Sequence, residues 1–91
     1  MRFEWDEEKA ETNERKHGVT FLEAVTVFDD DLALIIPDPE HSDEENRFII
    51  VGESRQNRLL LVAHAEQEPE MIRIISAREP TRQEKKDYEE G

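Results

Sequence analysis

The chain has 91 residues, with 12 Lys and Arg against 24 Asp and Glu, and a formal net charge of −12. An apolar fraction of 35% beside 40% charged residues supports one small domain, spanning residues 1–91, only because the apolar residues gather in patterned runs. Cysteine is absent, which excludes a disulfide scaffold, a thiolate zinc site and a cysteine nucleophile, and the negative charge argues against indiscriminate nucleic-acid binding.

The opening MRFEWDEEK carries no apolar core of signal-peptide length, and the longest apolar run is about five residues, so a cytoplasmic protein with no membrane segment is expected. Charge is unevenly spread. Residues 1–45 hold 4 basic and 15 acidic side chains, whereas residues 46–91 hold 8 and 9, with six of the eight arginines. An anion-binding site is therefore sought in the second half.

Asp6 is the expected N-cap of a helix over residues 7–17, with Glu7 and Glu8 complementing the positive end of its dipole and Gly18 closing it. Its apolar face is thin, and Trp5 is spaced to staple over Ala10. Thr20 and Glu23 read as a capping box for a second, shorter helix buried through Phe21, Val25 and Phe28 and stopped by Asp29, Asp30 and Asp31. Residues 32–36 form a short apolar strand ended by Pro37, followed by the polar loop PDPEHSDEEN. Residues 48–52 and 58–64 flank a polar turn as a hairpin, and residues 71–77 supply a third run. Thr81 and Glu84 open a charged C-terminal helix reaching about residue 89. The expected class is α+β: an antiparallel sheet, a three- to four-stranded meander, with two N-terminal helices and one C-terminal helix, and an optional edge strand at residues 2–5.

Metal chemistry finds little support. His17, His41 and His64 fall in separate elements with no HxxxH or HExxH spacing, and the aspartates 29–31 read as a solvated stop signal. The three glycines are too dispersed for a phosphate-cradling loop, and Gly52-Glu53-Ser54 lacks the second glycine of a nucleophile elbow. What remains is a set of cationic and proton-transferring side chains, Arg47, Arg58, His64, Arg73 and Arg78. Strand alternation puts Arg58 and His64 on one face; Arg73 and Arg78 share a face only across a bulge. Pairing each arginine with a nearby glutamate is the competing reading. Arg73 is the sharpest of them, because it interrupts the apolar run MIRII.

The segments Trp5-Asp6-Glu7-Glu8-Lys9, Arg15-Lys16-His17-Gly18-Val19, Phe21 with Glu23-Ala24 and Val27-Phe28, and Arg73-Ile74-Ile75-Ser76-Ala77-Arg78 closely resemble the BrnT family of bacterial type II toxins. The resemblance implies a RelE-like ribonuclease fold, metal-independent RNA cleavage with no cofactor, and a BrnA-like ribbon-helix-helix antitoxin as partner, with operator DNA reached only through that antitoxin. The chemistry such cleavage needs, taken with motif position, assigns Arg73 and Arg78 to phosphate charge, His64 or Glu45 to proton transfer, and Arg47, Arg58, Lys16 and His17 to RNA contacts. Tyr88 either stacks a base or packs.

Glu66, Glu68 and Glu70 crowd the loop before the RIISAR run and repel phosphate, so a family member that binds the antitoxin without cleaving is the second reading. An acidic nucleic-acid mimic that occupies a basic protein surface is a third.

Overall fold

A computed structural model describes residues 1–41 and 46–90. Strand β1 (Arg2–Glu4) leads into helix α1 (Glu7–His17) and helix α2 (Phe21–Thr26), which runs into a 3-10 turn at Val27–Asp29. Strands β2 (Leu34–Pro37), β3 (Arg47–Glu53), β4 (Leu59–Glu66) and β5 (Met71–Arg78) follow, and helix α3 (Arg82–Glu90) ends the chain.

The helix ends follow from local chemistry. Asp6 accepts from the N–H groups of Glu8 and Lys9, while Gly18 adopts the left-handed conformation at φ 70° and returns its N–H to Glu14. Thr20 caps α2 through the Glu23 N–H, but the Glu23 carboxylate turns away to Ser54 and Arg58, so only half of the expected capping box forms. Thr81 and Glu84 make the full reciprocal pair at the start of α3.

The sheet corrects the meander. Among the described residues it has five strands in the order β1-β5-β4-β3-β2 and is mixed, because β1 joins β5 in parallel while the other pairings there are antiparallel. A parallel neighbour requires a crossover, and α1 through β4 supply it. The β2 strand also extends through Pro37, which pairs with Phe48; β2 is an edge strand, and there a missing N–H is tolerated.

Register explains the two faces. Ile50, Val62 and Ala77 form one row, and Phe48, His64 and Ile74 the next, all turned toward α1 and α2. Val19, Phe21, Ala24 and Val27 close over them to complete the core. Full burial of a side chain such as Phe21 is worth about 2–3 kcal/mol. The opposite face presents Ile36, Ile49, Ala63 and Ser76 in one row and Leu34, Val51, Leu61 and Arg78 in the next.

A bulge in β5 keeps these rows coherent. Ser76 lies opposite Ala63 but Ile74 lies opposite His64, leaving Ile75 as the extra residue. The inserted residue reverses side-chain parity, so Ile72, Ile74 and Ala77 all enter the core, and Arg73 and Arg78 both turn to the open face.

Candidate active site

On the open face the apolar row of Ile36, Ile49 and Ala63, with Leu61, floors a cleft of about 450 Å³. One wall is the 3-10 turn Pro39–His41 together with Arg47; the other is Arg78 and Glu84 at the base of α3. Two arginines, a histidine and two carboxylates therefore meet over an apolar floor, and a third carboxylate, Asp38, stands at the foot of the first wall.

The electrostatics are those of paired charges. Arg78 donates from both terminal nitrogens to the two oxygens of Glu84 at 2.8 and 2.9 Å, and this fork holds the Glu84 carboxyl down at about 2, with the Thr81 N–H as a second donor. Arg47 Nη2 lies 3.8 Å from Asp38 Oδ2, and the same carboxylate oxygen is 3.1 Å from His41 Nδ1. Arg73 shares a row with Arg47 across Ala65, two strand spacings or about 10 Å away, and pairs with Glu4 at 3.2 Å.

A second, shallower hollow of about 340 Å³ runs along α1, lined by Lys9, Asn13, Lys16 and His17. It shares Ile75 and Ser76 with the cleft, so the bulged edge of β5 stands between the two. Tyr88 is half-buried on α3, its hydroxyl 3.5 Å from the Leu32 carbonyl.

Not every candidate from the sequence comes to this face. His64 is 1% exposed and projects into the core between Phe28 and Phe48, with ring centroids 4.9 and 6.2 Å away. Burial holds its pKa below the ordinary value, opposed by a hydrogen bond with the Val62 carbonyl and by the charge of Glu66. A proton-transfer role beside Arg73 and Arg78 does not fit that position, because the sheet separates them. Arg58 faces the helices as well, and its guanidinium joins the buried Glu23 carboxylate and the Gly18 carbonyl; that pairing lowers the Glu23 pKa. Glu45 lies outside the described residues. His41 and Asp38 were missed as site residues because PDPEH reads as an exposed loop; the three-residue Asp-to-His spacing was the available signal.

Among the described residues no group of three or more His, Asp and Glu is placed to hold a metal ion, and no helix is long and apolar enough to cross a membrane.

The family model of the ribonuclease toxin BrnT of type II toxin–antitoxin systems matches residues 5–84. The chain belongs to the BrnT family. Its structure is similar to the crystal structure of the Brucella abortus ribonuclease toxin BrnT, with a TM-score of 0.71 and 25% sequence identity over 90% of this chain and 99% of that one. No curated protein matches the chain in sequence. Membership in a family of type II toxins implies an antitoxin partner and supports ribonuclease activity in general terms. All four motif segments carried by the BrnT resemblance lie within the matched residues.

Proposed function

We propose that this chain is the toxin of a type II pair, a metal-independent endoribonuclease that acts on cytoplasmic RNA, inhibits translation and is neutralised by a BrnA-like ribbon-helix-helix antitoxin. Operator DNA is reached only through that antitoxin. The observation that carries the reading is the meeting of Arg47, Arg78 and His41 in one cleft of a chain that belongs to a ribonuclease-toxin family.

RNA cleavage without metal needs the 2′-hydroxyl deprotonated, the leaving oxygen protonated and the phosphorane charge stabilised. Arg47 and Arg78 supply that charge. A guanidinium has five N–H donors, so the two that Arg78 gives to Glu84 and the one it gives to the Glu79 carbonyl leave others for phosphate. Arg73 contacts the neighbouring backbone, and Lys16 and His17 take the strand where it passes over the β5 bulge into the α1 hollow. Tyr88 packs the α3 wall. The acidic first half suits a basic antitoxin, whose association complementary fields accelerate.

A second reading rests on a specific observation: Arg47, Arg55, Arg58, Arg73 and Arg78 each lie within 4 Å of a carboxylate, at Asp38, Asp29, Glu23, Glu4 and Glu84. Self-neutralised arginines fit a catalytically weak or inactive member that serves as an antitoxin-binding corepressor.

Induced expression of the wild type beside Arg73→Ala/Arg78→Ala separates the two. Growth arrest, with RNA cleaved in EDTA by the purified wild type only, is the toxin result. Robust growth and intact RNA for both proteins contradict it and favour the binding module.

A further inference from the structure

We propose that His41 is the proton-transferring catalytic residue of the cleft and that Asp38 is its positioning residue. The inference rests on the ribonuclease reading above and names the group that moves the proton, a role that His64 cannot fill from the core.

The local sequence builds the pair. Pro37 and Pro39 fix φ on either side of Asp38, and the 3-10 turn Pro39–His41 brings residues three apart onto one side. Backbone bonds lock the turn: the His41 N–H donates to the Asp38 carbonyl and the Asp38 N–H to the Arg47 carbonyl, each at 3.2 Å. The Asp38 side chain is 6% exposed, and a carboxylate so buried is retained only when its lone pairs are satisfied. Oδ1 accepts the Glu40 N–H at 3.0 Å, and Oδ2 sits 3.1 Å from His41 Nδ1. A carboxylate at Nδ1 selects the tautomer with the proton there, so Nε2 carries the lone pair. The imidazole is 41% exposed and lines the cleft with Arg47 and Arg78, so it is anchored at one nitrogen and open to substrate on its remaining surface.

The step balances without a cofactor. His41 Nε2 takes the 2′-hydroxyl proton as O2′ bonds to phosphorus. The P–O5′ bond breaks with its electron pair on O5′, which takes a proton from solvent water, and the imidazolium returns its proton to the hydroxide so formed. The products are a 2′,3′-cyclic phosphate and a 5′-hydroxyl end. Arg47 and Arg78 hold the phosphoryl oxygens meanwhile.

The test uses the full chain with an RNA oligonucleotide in EDTA. His41→Gln is expected to lose at least about 100-fold in kcat with KM unchanged, as removal of a general base does. Asp38→Asn keeps an oxygen for the Glu40 N–H while losing the charge, and is expected to lower kcat by about tenfold or more without moving KM. His41→Gly is expected to be inactive and to regain cleavage when free imidazole is added, which a merely misfolded variant does not do. An active wild type beside a fully active His41→Gln overturns the dyad and leaves the ribonuclease reading standing. An inactive, folded His41→Gly that binds RNA with wild-type affinity but is not rescued by imidazole also overturns it. An inactive wild type overturns both the dyad and the reading it rests on.

Discussion

The side-chain amide of Asn13 is bonded in both directions to the backbone of Ala77, 64 residues away: Nδ2 donates to the Ala77 carbonyl at 2.8 Å, and the Ala77 N–H donates to Oδ1 at 3.0 Å. Nδ2 also donates to the Val19 carbonyl at 2.9 Å. One buried amide thus ties α1, the α1–α2 connection and the strand segment just past the bulge that orients Arg78.

Removing that amide leaves buried backbone groups of Ala77 and Val19 without partners. Asn13→Ala is expected to destabilise the fold by about 2–4 kcal/mol, because orphaned buried polar groups cost more than a hydrogen bond gains. For a domain of this size the melting temperature falls by roughly 10–20 °C. Thermal and urea unfolding measure it; a change below about 0.5 kcal/mol would show that the amide is not holding α1 to β5.

His64 makes the fold sensitive to mild acid. Its folded pKa is depressed below the ordinary 6.5, so the unfolded chain binds its proton first as pH falls. Stability from this group is complete above about pH 6.5 and declines as pH drops below that value toward the folded pKa. His64→Leu is expected to flatten the stability curve in that range and to leave RNA cleavage intact, since the ring faces the core. Loss of cleavage by a well-folded His64→Leu would return this histidine to the chemistry.

Glu84 acts lower on the pH scale. Its carboxyl is held at about 2, against an ordinary 4.5, first by Arg78 and then by the Thr81 N–H. A depressed carboxylate stabilises above its unfolded pKa, so this contribution is present above about pH 4.5 and is lost as pH falls toward 2. Glu84→Gln is expected to remove the pH dependence of α3 docking in that window, followed by exchange of the α3 amides. An unchanged acid profile would mean that the Arg78–Glu84 fork does not hold the helix.

Legibility followed the range of the interactions. Asp6 and Gly18 mark α1 at both ends because capping is chemistry between near neighbours, and the apolar runs of β3, β4 and β5 announce themselves by composition. The parallel pairing of Arg2–Glu4 with Met71–Arg73 joins opposite ends of the chain, so no local pattern carries it. The β5 bulge is equally non-local, since the extra residue exists only relative to the Ala63–His64 step of its partner strand. Alternation alone leaves Arg73 and Arg78 on opposite faces. His64 misled because a strand-end histidine after LLLVA reads as a solvent-facing tip, whereas β4 continues to Glu66 and keeps it inside. Asn13 hid among the charges of α1, although its spacing of three from Ala10 puts it on the narrow inward face.

On the proposed reading, the sheet face opposite α1 and α2 cleaves RNA in the cleft between Arg47 and Arg78, walled on one side by the base of α3. That reading is tested most directly by incubating a defined RNA oligonucleotide in EDTA with wild type and with Arg47→Gln, each shown to be folded by its unfolding transition. Cleavage by the wild type, reduced by about 100-fold or more in Arg47→Gln, is the predicted result. Intact RNA with the wild type, or equal cleavage by both proteins, contradicts it.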